Sequence, residues 1–585
     1  MKRFYALILA LGVPAFSQQA PAKLPAASGG FVPVTDQMLD HPDPADWLMW
    51  RGTLNSWGYS PLNQINRANA GTLRMVWTRG MEPGIQEATP LVHNGVMYLP
   101  NPANIMQALN GATGELAWEY RRPVPEDIKK WFAGAPLKNR NLAIYDDKII
   151  ALGADDFVYG VNAGTGKLAW ETRVQDYREL SAQQTSGPIV AHGKVFSGRA
   201  CEFKVTGEAC VITAHDAKTG KELWRVHTIP KPGEPGNETW GDIPYEQRKH
   251  VGSWMPPSYD PELNLLYIGT SVTSPAPKFQ LAGNDKKYLY HNCTLAIDAN
   301  TGKIVWYYQH IVDHWDLDHP FERILVDTVV APDPKEVSWI NPRVRPGERR
   351  KVVTGIPGKT GIIYTLDRQT GEFLWARPTN YQNVVSKIDG ATGEVTVNPE
   401  TTFTKAKEEH LVCPGQNGGK NFPAGAYSPL NNALFMPVQN ACAVMSPISD
   451  KIVPGSPYGL VVVPQMAPGA TMIGTIHAVS VETGKTLWKY DQRAGQMSLV
   501  ATGGGLIFGG DSEGHFRALD QDTGKVLWEV SLGAPVTGYP ITYAVNGKQY
   551  VAVSTGTSLV SAGVNRMSAD LKPAINNAIF VFALP

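Results

Sequence analysis

The sequence lacks the features that would tie it to a membrane or to nucleic acid. Lysine plus arginine and aspartate plus glutamate are equal in number, 53 each, so the 585-residue chain has no net charge to attract an anionic partner. Beyond residue 20 there is no run of about 18 apolar residues, the length that a membrane-spanning helix needs. We therefore expect no nucleic acid partner and no transmembrane segment in the mature chain.

Cysteine is also scarce. The five cysteines are Cys201, Cys210, Cys293, Cys413 and Cys442, and the odd number leaves at least one thiol unpaired. No C-x-x-C-H motif occurs, so this sequence has no attachment site for a covalent c-type haem. Electrons removed from a substrate would therefore have to leave through another protein.

The N-terminal 20 residues have the pattern of a secretory signal peptide. MKRFYALILALGVPAFSQQA has a basic start, an apolar run and a small-residue end. A membrane anchor is the alternative, but the apolar run is short and contains Pro14. We expect export to the periplasm with cleavage, followed by a flexible leader over residues 21–39.

A turn motif that ends in tryptophan recurs along the chain, as in AHDAKTGKELW and AIDANTGKIVW. Its eight copies, the first degenerate, end at Trp77, Trp118, Trp170, Trp224, Trp306, Trp375, Trp488 and Trp528. Asp or Asn with Thr-Gly supplies the positive φ of a tight hairpin turn. One hairpin cannot bury its apolar face, so repeats at intervals of about 40 residues or more predict stacked four-stranded blades. The pattern predicts an all-β, eight-bladed β-propeller over residues 40–585, with each tryptophan docked between blades.

These repeats, together with the opening WRGTLNSWGYSPLNQINRANAGTLRMVW, resemble the pyrroloquinoline quinone (PQQ) dependent alcohol dehydrogenases. That family includes methanol dehydrogenase and the propeller domain of membrane glucose dehydrogenase. The resemblance covers nearly the whole predicted mature chain. It implies an enzyme that oxidises a small alcohol or sugar with PQQ and one metal ion, and that passes electrons to a separate cytochrome c or another acceptor. Whether the protein is a homodimer stays open.

The resemblance also implies which side chains hold PQQ, a flat quinone with three carboxylates. Trp254, in VGSWMPPSYDP, would lie parallel to the rings, and Arg140, in LKNRNLAIY, would pair with a carboxylate. Lys359, in GIPGKTG, would contact the quinone oxygens, and its segment lacks the spacing of a phosphate-binding loop. The other implied cofactor contacts are Glu87, Thr185, Ser186 and Asn421.

The stretch DHWDLD, residues 313–318, carries the implied catalytic base. By resemblance, Asp316 removes the proton of the alcohol hydroxyl and Asp313 has no chemical role. Asp318 is shared with the lanthanide-dependent relatives, whereas calcium methanol dehydrogenases have a small neutral residue there. Membrane glucose dehydrogenases share Trp-Asp-x-Asp without a lanthanide, so calcium or magnesium and a lanthanide both stay open.

The sequence departs from the family at the metal site and at the cofactor cap. The family's glutamate ligand corresponds to Glu202, with Glu208 as the alternative, which makes Glu202, Asp316 and Asp318 the predicted metal ligands. Val272 replaces the family's asparagine ligand, and a hydroxyl of Ser271 or Thr273 is the candidate substitute. The family's vicinal cysteine pair is absent, and Trp131 is the candidate cap.

The resemblance implies a disulfide between Cys413 and Cys442. Cys201 and Cys210 are candidates for a second disulfide, which leaves Cys293 free and buried. Two other functions stay open at this stage: a PQQ-type fold without activity, and a non-catalytic propeller scaffold.

Overall fold

Each tryptophan-ending repeat contributes the outer strands of one β-sheet. A computed structural model of the chain describes residues 31–132, 140–274, 277–312, 315–453, 458–495, 497–568 and 570–585. The predicted signal peptide and Asp313 lie outside these residues. Among the described residues, no helix is long and apolar enough to cross a membrane.

Within the described ranges, eight sheets of four or five strands follow one another along the chain, and their number equals that of the repeats. Blades 1 to 4 consist of Leu91–His93, Val96–Asn101, Ile105–Asn110 and Leu116–Arg121; Ala143–Tyr145, Lys148–Leu152, Phe157–Asn162 and Leu168–Arg173; Ile189–Ala191, Lys194–Ser197, Val211–Asp216 and Glu222–His227; and Ser258–Asp260, Leu265–Gly269, Cys293–Asp298 and Ile304–Gln309.

The second half of the chain repeats this arrangement. Blades 5 to 8 consist of Ile324–Val330, Trp339–Ile340, Glu348–Gly355, Ile362–Asp367 and Phe373–Pro378; Ala426–Ser428, Ala433–Gln439, Gly474–Ser480 and Thr486–Gln492; Leu499–Thr502, Leu506–Gly510, His515–Asp520 and Val526–Ser531 with Tyr59–Ser60; and Ile541–Val545, Lys548–Thr555 and Ala578–Ala583 with Arg74–Gly80.

The tryptophans join neighbouring blades by packing on the glycine of the next repeat's turn. A Cβ atom on Gly114 would lie 2.6 Å from the Trp77 ring, and one on Gly524 would lie 2.6 Å from the Trp488 ring. Both glycines have positive φ, so the turn and the docking each require glycine. The last repeat differs, because Trp528 packs edge-on against Phe582.

Both ends of the chain complete the ring. Arg74–Gly80 pairs antiparallel with Ala578–Ala583 and forms the outer strand of blade 8. Tyr59–Ser60 pairs in parallel with Leu499–Thr502 of blade 7. The packed chain begins before the predicted boundary at residue 40, because Val34 is buried and bridges to Asp146.

Three smaller sheets lie outside the eight blades. They are two two-stranded sheets and one three-stranded sheet: Ala182–Gln183 with Ala200–Cys201, Val385–Ile388 with Val395–Val397, and Ala441–Pro447 with His410–Val412 and Leu460–Met466. In the part of the chain that the structure describes, the α-helices are Asp36–Asp40 and Leu559–Met567, and the single-turn 3₁₀ helices are Ala70–Thr72, Ile128–Lys130, Gly207–Ala209, Asn237–Trp240, Tyr245–Gln247, Lys278–Gln280 and Pro399–Thr401.

Candidate active site

Most of the predicted site residues occupy equivalent positions in different blades. The first strand of each blade lies at the buried end of its sheet. In blades 1 to 6 the segment just before this strand carries a site residue: Glu87, Arg140, Thr185, Trp254, Asp316 with Asp318, and Asn421. Lys359 lies between two later strands of blade 5. Equivalent positions in a ring of blades meet at one end of the ring axis, so these residues converge.

A cavity of about 360 Å³ lies at this convergence. Seven predicted site residues line it: Arg140, Thr185, Trp254, Asp316, Asp318, Lys359 and Asn421. Of the other predicted site residues, Glu87 is buried behind Arg140, and the Ser186 hydroxyl donates to the Gly198 carbonyl at 2.8 Å instead of lining the cavity.

Arg140 lies between two aromatic rings at one side of the cavity. Its guanidinium is 4.9 Å from the centre of the Trp254 ring and 5.4 Å from that of Phe422. Glu87 forms an ion pair with it at 2.6 Å, and the Thr185 carbonyl accepts a hydrogen bond from it at 3.0 Å. The group is held rigidly beside the indole, as the binding of a flat carboxylate-bearing molecule requires.

Lys359 bridges the two aspartates of the opposite wall. Its ammonium lies 2.7 Å from Asp316 and 3.2 Å from Asp318. Burial lowers the pKa of Lys359, but both carboxylates more than offset this, so the pKa is raised. Burial alone would raise the pKa of Asp318. The Lys359 ammonium and the Val272 N–H, which donates to Asp318 at 2.9 Å, have the opposite effect and hold this pKa below its ordinary value.

The predicted metal ligands are not assembled into a cluster in this structure. Among the described residues, no group of three or more His, Cys, Asp or Glu side chains lies close enough to hold a metal ion. Glu202 accepts a hydrogen bond at 2.7 Å from Gln183, and it is Gln183 that lines the cavity. Asp316 and Asp318 already share one positive charge, so their oxygens fit a hard cation.

The structure places the residues at which the sequence departs from the family's metal site and cofactor cap. Val272 is buried, and its backbone N–H donates a hydrogen bond to Asp318. Ser271 lines the cavity, whereas the Thr273 hydroxyl donates to the Lys249 carbonyl. Trp131 does not line the cavity, because its indole donates to Asp127 and packs in a separate apolar cluster.

The alternative ligand Glu208 binds elsewhere. Its carboxylate pairs with Lys231 at 2.8 Å and lies 3.0 Å from His227. These two contacts explain how the charge of the Glu208 carboxylate is balanced without a metal ion. Glu208 is not among the residues that line the cavity.

A buried ion pair packs against the residues that line the cavity. The Lys420 ammonium lies 2.7 Å from Glu322, and both side chains are fully buried. Lys420 also lies over the Phe321 ring, which contacts Trp254 edge-on at 5.5 Å. Lys420 precedes Asn421, whose amide donates to the Asn417 carbonyl at 2.9 Å. The pair therefore connects the aromatic floor of the cavity to the segment that carries Asn421.

Both predicted disulfides are present. Cys201 is bonded to Cys210 and Cys413 to Cys442, and Cys293 is free and buried. The first bond closes the loop beside Glu202. These three expectations are confirmed.

The sequence reasoning missed a large part of the cavity wall. Gln183, His250, Gln416, Asn417, Phe422 and Tyr458 also line it, as do Leu559, Ala562 and Arg566 of the helix Leu559–Met567. Most of these residues belong to insertions that the repeat does not contain. The positive φ of His250 has no signature in the sequence.

Comparison with known proteins agrees with this arrangement. Residues 47–397 and 491–551 match the family described as "PQQ: Glucose/ethanol/alcohol dehydrogenase, beta-propeller domain". The chain is 31% identical over 562 residues to the dehydrogenase subunit of alcohol dehydrogenase (quinone) from Komagataeibacter europaeus, with 89% of this chain and 73% of that protein covered.

Two methanol dehydrogenases are also similar. The lanthanide-dependent methanol dehydrogenase of Methylacidiphilum fumariolicum (strain SolV) is 30% identical over 552 residues, 88% of this chain and 85% of that protein. A solved structure of a europium-containing methanol dehydrogenase superposes with a TM-score of 0.84 at 27% identity, covering 94% of this chain and all of that one.

The chain therefore belongs to the PQQ-dependent dehydrogenase family, which confirms the predicted propeller fold class. Within that class it is a quinoprotein oxidoreductase of the alcohol dehydrogenase type, with PQQ as its cofactor. The cavity fits this cofactor, because Trp254 offers a ring face and both Arg140 and Lys359 offer a cation. The buried Nε of Arg140 has no hydrogen-bond acceptor among the residues that the structure describes.

Proposed function

We propose that the enzyme oxidises an alcohol in the periplasm, with Asp316 as the base, and delivers the electrons to a separate cytochrome c. The observation that carries the proposal is the meeting of Asp316, Lys359, Arg140 and Trp254 in one cavity. PQQ bound in this cavity would supply the acceptor for the hydride of the alcohol carbon, and a metal ion held beside it would supply a Lewis acid.

The protein's own residues supply positioning and proton removal. Trp254 supports the cofactor rings, and Arg140, held by Glu87, binds a cofactor carboxylate. Asp316 takes the proton of the substrate hydroxyl, and the Lys359 ammonium at 2.7 Å stabilises the negative charge that Asp316 needs for this role. Thr185 and Asn421, which also line the cavity, complete the proposed cofactor site.

We propose that Asp316 and Asp318, which line the cavity, hold the metal ion, and that Glu202, which is not grouped with them in this structure, becomes a third ligand when the ion binds. Carboxylate oxygens are the donors that calcium and lanthanide ions prefer. The similarity to a lanthanide-dependent enzyme and to a europium-containing structure supports a lanthanide. We therefore give a lanthanide and calcium equal weight. Magnesium is the third ion to test.

Reconstitution tests the proposal. Protein freed of cofactor is titrated with PQQ plus calcium, magnesium or a light lanthanide, and dye reduction is measured with primary alcohols, polyols and aldoses. We expect turnover with at least one metal and its loss in Asp316→Asn. PQQ binding without turnover under any metal would favour the fold without activity. No PQQ binding at all would favour a scaffold.

A further inference from the structure

The cavity has a polar wall that the proposed chemistry does not use. Besides the cofactor and metal residues, its polar lining comprises Gln183, His250, Ser271, Gln416, Asn417, Tyr458 and Arg566. Among the described residues, the remaining apolar lining, apart from Trp254 and Phe422, consists of Ala200, Leu559 and Ala562. A wall of this composition suits a substrate with more than one polar group better than a short monohydric alcohol.

His250 has an unusual backbone conformation for its position in this wall. Its φ is 66°, in the left-handed region that favours glycine. It lies four residues before Trp254 and has its side chain at the cavity. Residues with side chains persist in this conformation mainly where their surroundings hold them, and such positions cluster at functional sites.

The imidazole of His250 is oriented by the neighbouring disulfide loop. Its Nδ1 lies 2.7 Å from the carbonyl oxygen of Cys201, and a carbonyl can only accept a hydrogen bond. Nδ1 therefore carries the hydrogen, which leaves Nε2 of the neutral ring as an acceptor. Cys201 is itself held by its bond to Cys210 and by pairing with Ala182.

Tyr458 lies next to the accepting nitrogen. Its hydroxyl is 3.4 Å from His250 Nε2, and the two rings meet edge-on with their centres 6.3 Å apart. Phe203 packs edge-on against the imidazole at 6.5 Å. The two groups form a long hydrogen bond in which the Tyr458 hydroxyl donates to Nε2. An alcohol hydroxyl is donor and acceptor at once, so it can replace this bond by accepting from Tyr458 and donating to Nε2.

We propose that His250 and Tyr458 form a binding subsite for a second substrate hydroxyl, so that the enzyme prefers diols or polyols to monohydric alcohols. The second hydroxyl donates to His250 Nε2 and accepts from the Tyr458 hydroxyl. This inference rests on the proposed function, because it assumes that the first hydroxyl is the one oxidised beside Asp316.

Two substrates of equal carbon number test the subsite in the holoenzyme. We expect the wild-type kcat/KM to be higher for 1,3-propanediol than for 1-propanol. His250→Gly and Tyr458→Phe should each lower kcat/KM for the diol by about tenfold, the effect of one lost hydrogen bond, and change that for 1-propanol by less than about twofold. Glycine suits the local φ, so His250→Gly should fold.

Two further variants separate recognition from backbone effects. His250→Asn keeps a polar group and tolerates positive φ, so it should restore part of the diol preference. His192 also has positive φ, 47°, but does not line the cavity, so His192→Gly should leave both substrates unchanged. Equal losses for both substrates, or no wild-type preference, would overturn the inference.

A binding measurement tests the His250–Tyr458 subsite separately from the proposed function. If the wild-type holoenzyme turns over neither substrate, the proposed function is wrong. Calorimetric titration of the protein loaded with PQQ and metal then decides the subsite on its own. Weaker diol binding in His250→Gly than in the wild type supports the subsite, and an unchanged Kd refutes it.

Discussion

Replacing Lys420 by methionine should destabilise the protein by about 3 kcal/mol. Methionine keeps an unbranched apolar chain but leaves the Glu322 carboxylate buried without the ammonium that lies 2.7 Å away. Removing one partner of a buried pair costs about 3–5 kcal/mol. We expect the lower end because Glu322 also accepts the Gly425 N–H at 2.9 Å and interacts electrostatically with Arg51 and Arg323.

Urea unfolding of the holoenzyme is the appropriate assay for this prediction. In a chain of this length, about 3 kcal/mol lowers Tm by only about 2–3 °C, since the unfolding entropy is about 2 cal/mol/K per residue. The control is the double variant Glu322→Gln with Lys420→Met, which removes the unpaired charge and should recover part of the loss. A loss below about 1 kcal/mol in the single variant, or no recovery in the double variant, would refute the reasoning.

Three further perturbations have defined outcomes. Asp316→Asn should lower kcat by about 10²–10⁴ while PQQ absorbance and circular dichroism stay unchanged, and retained turnover would exclude Asp316 as the base. Burial lowers the pKa of His215 to about 4 and that of His477 to about 3, so below pH 6.5 the unfolded chain binds more protons than the folded one. Stability should then fall by about 1.4 kcal/mol per pH unit per histidine from about pH 6.5 toward pH 4; the urea midpoint measures this, and a midpoint that rises on acidification contradicts it. Replacing Cys201 and Cys210 by serine opens a loop with a sequence separation of 9 and should cost about 2–3 kcal/mol in the same assay; an unchanged midpoint would mean that the disulfide does not stabilise the fold.

The fold could be predicted because its signal is local and repeated. In the repeats the turn glycine has two functions, because its positive φ and the docked tryptophan each require glycine. The Thr-Gly turn together with the tryptophan that follows it marks a blade, whereas the Thr-Gly turn at Gly393, which has no such tryptophan, lies in an insertion. The insertions have no such repetition. The three-stranded sheet built on Ala441–Pro447 and the helix Leu559–Met567 beside the cavity could therefore not be predicted from the repeat.

The site could be predicted where a single segment carries both the motif and its place in a blade. Arg140, Trp254 and Asn421 each precede a first strand, so local sequence sufficed to bring them together. His250 and Tyr458 lie 208 residues apart and meet through two separate insertions. Glu202 illustrates the same limit, because its hydrogen bond with Gln183 depends on a small sheet that no pattern indicated.

Closure of the ring by Arg74–Gly80 and Ala578–Ala583 has a consequence for how the protein matures. Blade 8 lacks its outer two strands until the last residues of the chain are available, and its neighbours cannot complete their packing before then. A growing chain therefore exposes unpaired strand edges, which favour aggregation. Deleting the final eight residues would leave this unfinished state permanent, so the protein should be sensitive to proteolytic trimming at the C-terminus.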